Sequence, residues 1–238
     1  MTGTASEQLP GDRDLARFIH KISRPLQRLL RRNAVTGTLY AVWKLLFSPR
    51  SYLRRVGWWR SYRLRAPVDA EGKPIPWISY PAIEFLASRV QPDWHVFEYG
   101  SGNSTLWWAA RVERVVSCEH EAAWYRFVES RRPDNVELLL RDAEDGSYER
   151  TLADYSRQFD VVVIDGIRRT QCAAMAASAL KPAGFIVYDN SDKAQFREGA
   201  EALEKQGFKR LDFVGPVPGS ILSSATSIFY KTRNCAGL

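Results

Sequence analysis

The chain has 238 residues, 45% hydrophobic and 26% charged, which excludes large-scale disorder and provides for one sizeable core with an appendage. Three cysteines, Cys118, Cys172 and Cys235, are odd in number and lack any CxxC spacing, which argues against a disulfide framework or zinc cluster, and Cys118 and Cys172 are expected to be small buried thiols in a reducing compartment. The formal charge of +7 is uneven: residues 1–65 carry 14 Lys and Arg against 3 Asp and Glu, and the remainder carries 20 basic against 24 acidic residues.

The N-terminal MTGTASEQLPGDRD has no apolar segment of signal type, and no run approaches the roughly 20 apolar residues that span a bilayer, so a cytoplasmic location is expected. Leu15, Phe18, Ile19, Ile22, Leu26, Leu29 and Leu30 recur at helical spacing among basic residues, and Pro25 is expected to break or kink that helix. TLYAVWKLLF (38–47) follows, then SPRSYLRRVGWWRSYRLR (48–65), where arginines alternate with Tyr52, Trp58, Trp59 and Tyr62. Three readings of this basic arm, 1–65, stay open. It suits an anionic membrane surface, met through residues 13–65 at the inner membrane. It also suits a cover over the main domain or a homodimer contact, and, least favoured, single-stranded nucleic acid.

APVDAEGKPIPW (66–77) reads as a linker into the main domain, 66–238. After a helix over 78–90, continuous apolar runs alternate with helical patterns: HVFEYG (95–100), VERVVSCE (112–119), NVELLL (135–140), FDVVVIDG (159–166) and GFIVYDN (184–190). Such runs are the mark of a parallel sheet covered on both faces. A helix over 194–207 and two strands, 209–215 and 226–231, joined by a loop without a helix, predict an antiparallel closing pair.

Ligands of open α/β sheets bind at the carboxyl ends of the strands, and the first strand ends in Gly100-Ser-Gly102-Asn-Ser-Thr105. A dinucleotide fingerprint needs glycine or alanine where Thr105 stands. Glu98, two residues before the first glycine, repels a pyrophosphate and attracts an ammonium group.

The run Glu98-Tyr-Gly100-Ser-Gly102-Asn103 resembles the acidic-x-Gly-x-Gly-x motif of class I S-adenosylmethionine-dependent methyltransferases, over about 78–231. The resemblance implies an α/β fold, a Rossmann-like seven-stranded sheet with its last strand antiparallel and helices on both faces, here preceded by a helical basic arm. It implies that Gly100, Gly102, Asn103, Ser104 and Thr105 hold the methionine end and ribose of S-adenosylmethionine. Glu98 would lie near the amino group, Glu119 would accept the ribose hydroxyls and Asp142 would meet the adenine amino group. Asp165 and Asp189-Asn190, ending the fourth and fifth strands, resemble the metal site of catechol-type O-methyltransferases and imply Mg²⁺ or a similar cation on Asp165, Asp189 and Asn190. Arg168 stands where those enzymes have lysine. It is a poor general base and is expected, with Arg169 beside it, to clamp an acidic group, while His120 is a candidate base or adenine cap. The stretch IDGIRRTQC…LKPAGFIVYDNSD is similar to FkbM-like methyltransferases, which implies O-methylation of a sugar, glycan or small metabolite. An RNA methyltransferase gripping substrate with the arm, and a non-catalytic membrane-associated scaffold, are the alternatives.

Overall fold

The computed structural model describes residues 33–238. The helix expected through Leu15 to Leu30 lies outside the described residues. The chain divides into two compact units, Met1–Arg55 and Val56–Leu238.

In the first unit, helix α1 (Ala34–Phe47) begins at Asn33, whose side chain accepts from the Val35 N–H at 2.9 Å. It stops at Ser48, whose N–H donates to the Lys44 carbonyl. A single turn, α2 (Tyr52–Arg55), follows, with Arg54 donating to the Phe47 carbonyl at 2.9 Å. None of the α1 residues is buried, and Val35, Leu39, Val42, Trp43, Leu45 and Phe47 are all exposed. Among the described residues no helix is long and apolar enough to cross a membrane.

The second unit begins ahead of the proline-rich linker. Helix α3 (Trp58–Leu64) buries Trp58 and Ser61. The Trp58 indole donates to the Ser220 carbonyl at 2.7 Å, and the Ser61 hydroxyl donates to the Val68 carbonyl (2.5 Å) while accepting from the Val68 N–H (3.1 Å). Aromatic burial, rather than charge, thus ties Trp58–Leu64 to the main unit.

The strands are β1 (His95–Tyr99), β2 (Arg114–Glu119), β3 (Val136–Leu140), β4 (Phe159–Ile164), β5 (Leu180–Asp189), β6 (Lys209–Pro216) and β7 (Ser223–Tyr230). They form one sheet in the order β3-β2-β1-β4-β5-β7-β6. The first five are parallel, and β7 runs antiparallel to β5 and β6. Helices α4 (Tyr80–Ala87), α5 (Asn103–Ala109), α6 (Ala122–Glu129), α7 (Ser147–Arg150), α8 (Arg169–Ala179) and α9 (Arg197–Lys205) surround it. Helix α7 is a single turn that passes into a 3₁₀ turn at Thr151–Asp154. β5 begins earlier than expected, its register with β4 shifting between Phe159 and Val161.

The central strands read as unbroken apolar runs because both their faces are buried: Val96, Phe97, Val115, Val116, Val162, Ile164, Phe185 and Ile186 are all inaccessible to solvent. Each such side chain contributes roughly 1.5–3 kcal/mol relative to leaving it exposed. Cys172, Ala173, Ala176 and Ala179 give α8 a smooth buried face that lets it sit close to the sheet. Strand order reverses between β1 and β4, so the loops leaving these strands part and open a crevice at their carboxyl ends.

Candidate active site

The ladder continues past the ends of the strands. The Gly100 N–H donates to Cys118 O at 2.9 Å and the Asp165 N–H to Tyr99 O at 3.1 Å, which fixes the ends of β1, β2 and β4 against one another. Gly100 turns the chain with φ at +88°, and a Cβ there would lie 3.0 Å from Gly166 Cα and N. A Cβ on Gly166 would in turn overlap the Tyr148 hydroxyl. Left-handed backbone and close approach both demand glycine here.

Glu98 sits beneath this turn, fully buried. Its Oε2 accepts from the hydroxyls of Thr105 (2.5 Å) and Ser117 (3.1 Å), and Thr105 Oγ1 accepts from the Gly102 N–H at 3.0 Å. The acid therefore holds the turn from below, through Thr105, and neither residue lines the cavity. Glu98 Oε1 is buried without a hydrogen-bond partner. Burial pushes the Glu98 carboxyl up to about 7, against the pull of the Ser104, Thr105 and Ser117 hydroxyls.

The turn opens on a cavity of about 570 Å³ that crosses the ends of β2, β1, β4 and β5. Gly100, Gly102, Asn103, Ser104, Glu119, His120, Asp165, Asp189 and Asn190 all line it. Glu119 is nearly buried and receives four donors. Oε2 accepts from the Ser101 N–H (2.8 Å) and hydroxyl (2.9 Å), and Oε1 from the N–H groups of His120 and Glu121, both at 2.8 Å. A ligand diol gains this carboxylate by displacing the Ser101 hydroxyl, an exchange of like for like. His120 Nδ1 lies 3.0 Å from Glu119 Oε1, with its ring edge-on to Tyr148. That places the imidazole at the end of β2, two strand spacings, or ~10 Å, from β4 and its Asp165. Asn103 donates its amide to Pro67 O at 2.8 Å and so ties the 65–67 segment to the turn. Asp142 is exposed, accepts from the Glu144 N–H at 2.7 Å and does not line the cavity.

Asp165 and Asp189 end neighbouring parallel strands and share one cation, Arg169. Its guanidinium lies 3.0 Å from Asp165 and 3.5 Å from Asp189, and it donates to the carbonyls of Gly166 (2.8 Å), Asp189 (2.7 Å) and Asp165 (2.9 Å). Asp189 Oδ1 also accepts from Thr226 Oγ1 at 2.6 Å, which itself accepts from the Ser79 N–H at 3.1 Å. Burial first, then the adjacent Asp189 carboxyl, hold Asp165 well above the usual carboxylate range against the opposing pull of Arg169. Asp189 is also raised by burial, against Thr226 and Arg169.

Nothing in this arrangement supports the metal expectation. The place between Asp165 and Asp189 that Mg²⁺ would take is held by the Arg169 guanidinium, and the Asn190 carboxamide oxygen accepts from Lys193 Nζ at 2.9 Å while its NH₂ donates to Ser224 at 2.9 Å. Among the described residues no group of three or more His, Cys, Asp or Glu side chains is arranged to hold a metal. The trio does not fit a divalent ion. Arg168, expected at the acceptor, is exposed, pairs with Glu149 at 3.6 Å and does not line the cavity. The residue beside it does the work, and its sequence signal is the i, i+4 spacing of Asp165 and Arg169 across the start of α8. Cys118 and Cys172 are buried free thiols, as their apolar settings predict.

No protein-family model matches the chain, and no curated protein matches it in sequence. Solved structures do match. Spermidine synthase from Thermotoga maritima superposes with a TM-score of 0.51 at 14% identity, over 62% of this chain and 56% of that one. The precorrin-6y C5,15-methyltransferase from Geobacter metallireducens superposes with a TM-score of 0.50 at 19% identity, over 64% of this chain and 87% of that one. The chain thus spans little more than half the length of the spermidine synthase. Together with the strand order, these likenesses define the fold: it is the Rossmann-like fold of class I methyltransferases, with its antiparallel closing strand.

Proposed function

We propose that the protein transfers a methyl group from S-adenosylmethionine to a hydroxyl of a small-molecule, sugar or glycan acceptor. The observation that supports this reading above the others is Glu119, a nearly buried carboxylate at the end of β2 that opens on the same cavity as the glycine turn. A carboxylate there accepts both hydroxyls of a ribose. The open space above Gly102, where a Cβ would meet nothing within 4 Å, fits a cofactor with a folded methionine tail. When bound, S-adenosylmethionine supplies an electrophilic methyl on a sulfonium, whose C–S bond breaks with the electron pair left on sulfur. The chain's own task is to orient the acceptor oxygen and receive its proton. Asp165 lines the cavity and has the raised proton affinity this needs, and Arg169 fixes its position.

Calorimetry with S-adenosylhomocysteine tests the reading. Binding by the wild-type protein, weakened roughly tenfold or more in Glu119→Ala, with no response to NAD, is expected from loss of a charged hydrogen-bonding partner. Response to NAD alone would turn the reading to an oxidoreductase, and no binding of either would favour a non-catalytic scaffold.

A specific observation supports a second element, contact of α1 with an anionic membrane surface: six of its large apolar side chains, Val35, Leu39, Val42, Trp43, Leu45 and Phe47, are exposed within a basic N-terminal region. Co-sedimentation with phosphatidylserine vesicles that is equal for the wild-type chain and Leu39→Glu/Trp43→Glu would refute it. Salt-dependent binding of RNA, absent with vesicles, would instead favour the RNA reading.

A further inference from the structure

Among the described residues, Arg65 and Arg169 are the arginines that line the cavity, and they differ. Arg169 is saturated by two carboxylates and three carbonyls. Arg60 donates to Ala70 O, Arg111 to Trp107 O, and Arg168 pairs with Glu149. Arg65 lines the cavity and makes no side-chain hydrogen bond or ion pair among the described residues. It caps α3 in the left-handed region at φ +50°, where glycine would carry no strain. The turn itself therefore does not call for an arginine.

The backbone that carries Arg65 is fixed on three sides. The Trp58 indole anchors α3 to the 217–222 loop, Ser61 is bonded both ways to Val68, and Pro67 O is held by Asn103. Trp77 lines the same cavity with 47% of its surface exposed, close in sequence to Ser79, whose N–H is bonded to Thr226 of β7. At the β5 and β7 end the lining also holds Asn190, bonded to Ser224 and Lys193, and Val217. The nearby Asp165 and Asp189 both face the Arg169 guanidinium, which offsets part of their charge.

We propose that this end of the cavity is an anion subsite in which the Arg65 guanidinium receives a carboxylate or phosphate of the methyl acceptor and Trp77 covers the acceptor's ring or apolar face. The proposal rests on the methyl-transfer reading and adds a substrate class to it: acceptors that carry a negative group on the same molecule as the hydroxyl. A planar fork matches either oxyanion in bidentate fashion.

The test titrates the protein saturated with S-adenosylhomocysteine with three probes, 4-hydroxybenzoate, phenyl phosphate and the neutral 4-hydroxybenzamide, followed by calorimetry. The two anionic arms decide between carboxylate and phosphate. At least one anionic probe is expected to bind roughly tenfold tighter than the amide, with the preference lost in Arg65→Gln and largely kept in Arg65→Lys. Arg65→Gly removes the guanidinium while relieving the backbone, so it is expected to unfold at higher denaturant concentration than wild type and still lose the preference. Equal affinity for the anionic and neutral probes in wild type, or a preference that survives in Arg65→Gly, overturns the proposal. If S-adenosylhomocysteine itself does not bind, the methyl-transfer reading fails, and the same titrations on the unloaded protein still decide whether Arg65 selects anions.

Discussion

Two pairs of acids line the ends of the central strands, and the structure neutralises them by different means. On the β1 and β2 side, Glu98 and Glu119 are met by hydroxyls and backbone N–H groups: Thr105 and Ser117 for one, Ser101, His120 and Glu121 for the other. On the β4 and β5 side, Asp165 and Asp189 are met by a guanidinium that is itself bonded to three carbonyls. Hydroxyls rotate away readily when a ligand offers better partners, whereas a saturated guanidinium does not. Of the first pair, Glu119 lines the cavity and is therefore free to exchange the Ser101 hydroxyl for a ligand, while Glu98 stays beneath the turn and the second pair stays clamped.

The contrast breaks most visibly at Arg169. Arg169→Met leaves the buried Asp189, the partly exposed Asp165 and three carbonyls without their donor, and a loss of about 3 kcal/mol in urea-melt stability is expected. A loss below about 1 kcal/mol would show that the pair does not depend on its clamp. Glu98→Gln sharpens the other side. The folded Glu98 carboxyl titrates at about 7 against an ordinary 4.5, so between those values the folded protein keeps a proton that the unfolded chain has released. Wild-type stability is therefore highest below pH 4.5 as far as this group is concerned and falls as pH rises to about 7. The glutamine variant escapes that fall. It is expected to be more stable than wild type at pH 8, by on the order of 3 kcal/mol, and equal to it near pH 4. Parallel stability profiles for the two proteins would contradict the burial of an acid beneath the turn. The smallest effect is expected from metal removal: EDTA should leave methyl transfer unchanged and Mg²⁺ should give no binding heat, because Arg169 already holds the cation's place. Loss of activity in EDTA, restored by Mg²⁺, would mean that the guanidinium yields to metal.

Much of this was legible in the chain. The runs at 95–100, 159–166 and 184–190 read as buried parallel strands because solvent touches neither face, and the 209–231 segment read as a closing pair because its loop leaves no room for a helix. Ionic pairing at the site was less legible. Asp165 and Asp189 are separated by a full α8–β5 excursion, and the sequence marks them only as two acids at strand ends, a pattern that a metal and an arginine satisfy equally. The arm was harder still. SPRSYLRRVGWWRSYRLR reads as one basic, aromatic stretch, yet Trp58 and Ser61 are buried in the main unit while the α1 side chains just before it are exposed.

The sequence by itself determined the alternation of strands and helices, the glycine turn after β1 and the acids at the strand ends, because these follow from local periodicity and from backbone angles that only glycine adopts freely. Only the tertiary structure decided which acid faces the cavity, which lies beneath it, and which arginine answers each. Those outcomes depend on distances between residues far apart in the chain, and no local pattern encodes them: Glu98 and Glu119 are both acids at strand ends, but the 3.6-residue turns of α5 bring Thr105 under one while the chain reversal at Gly100 carries Ser101 over the other.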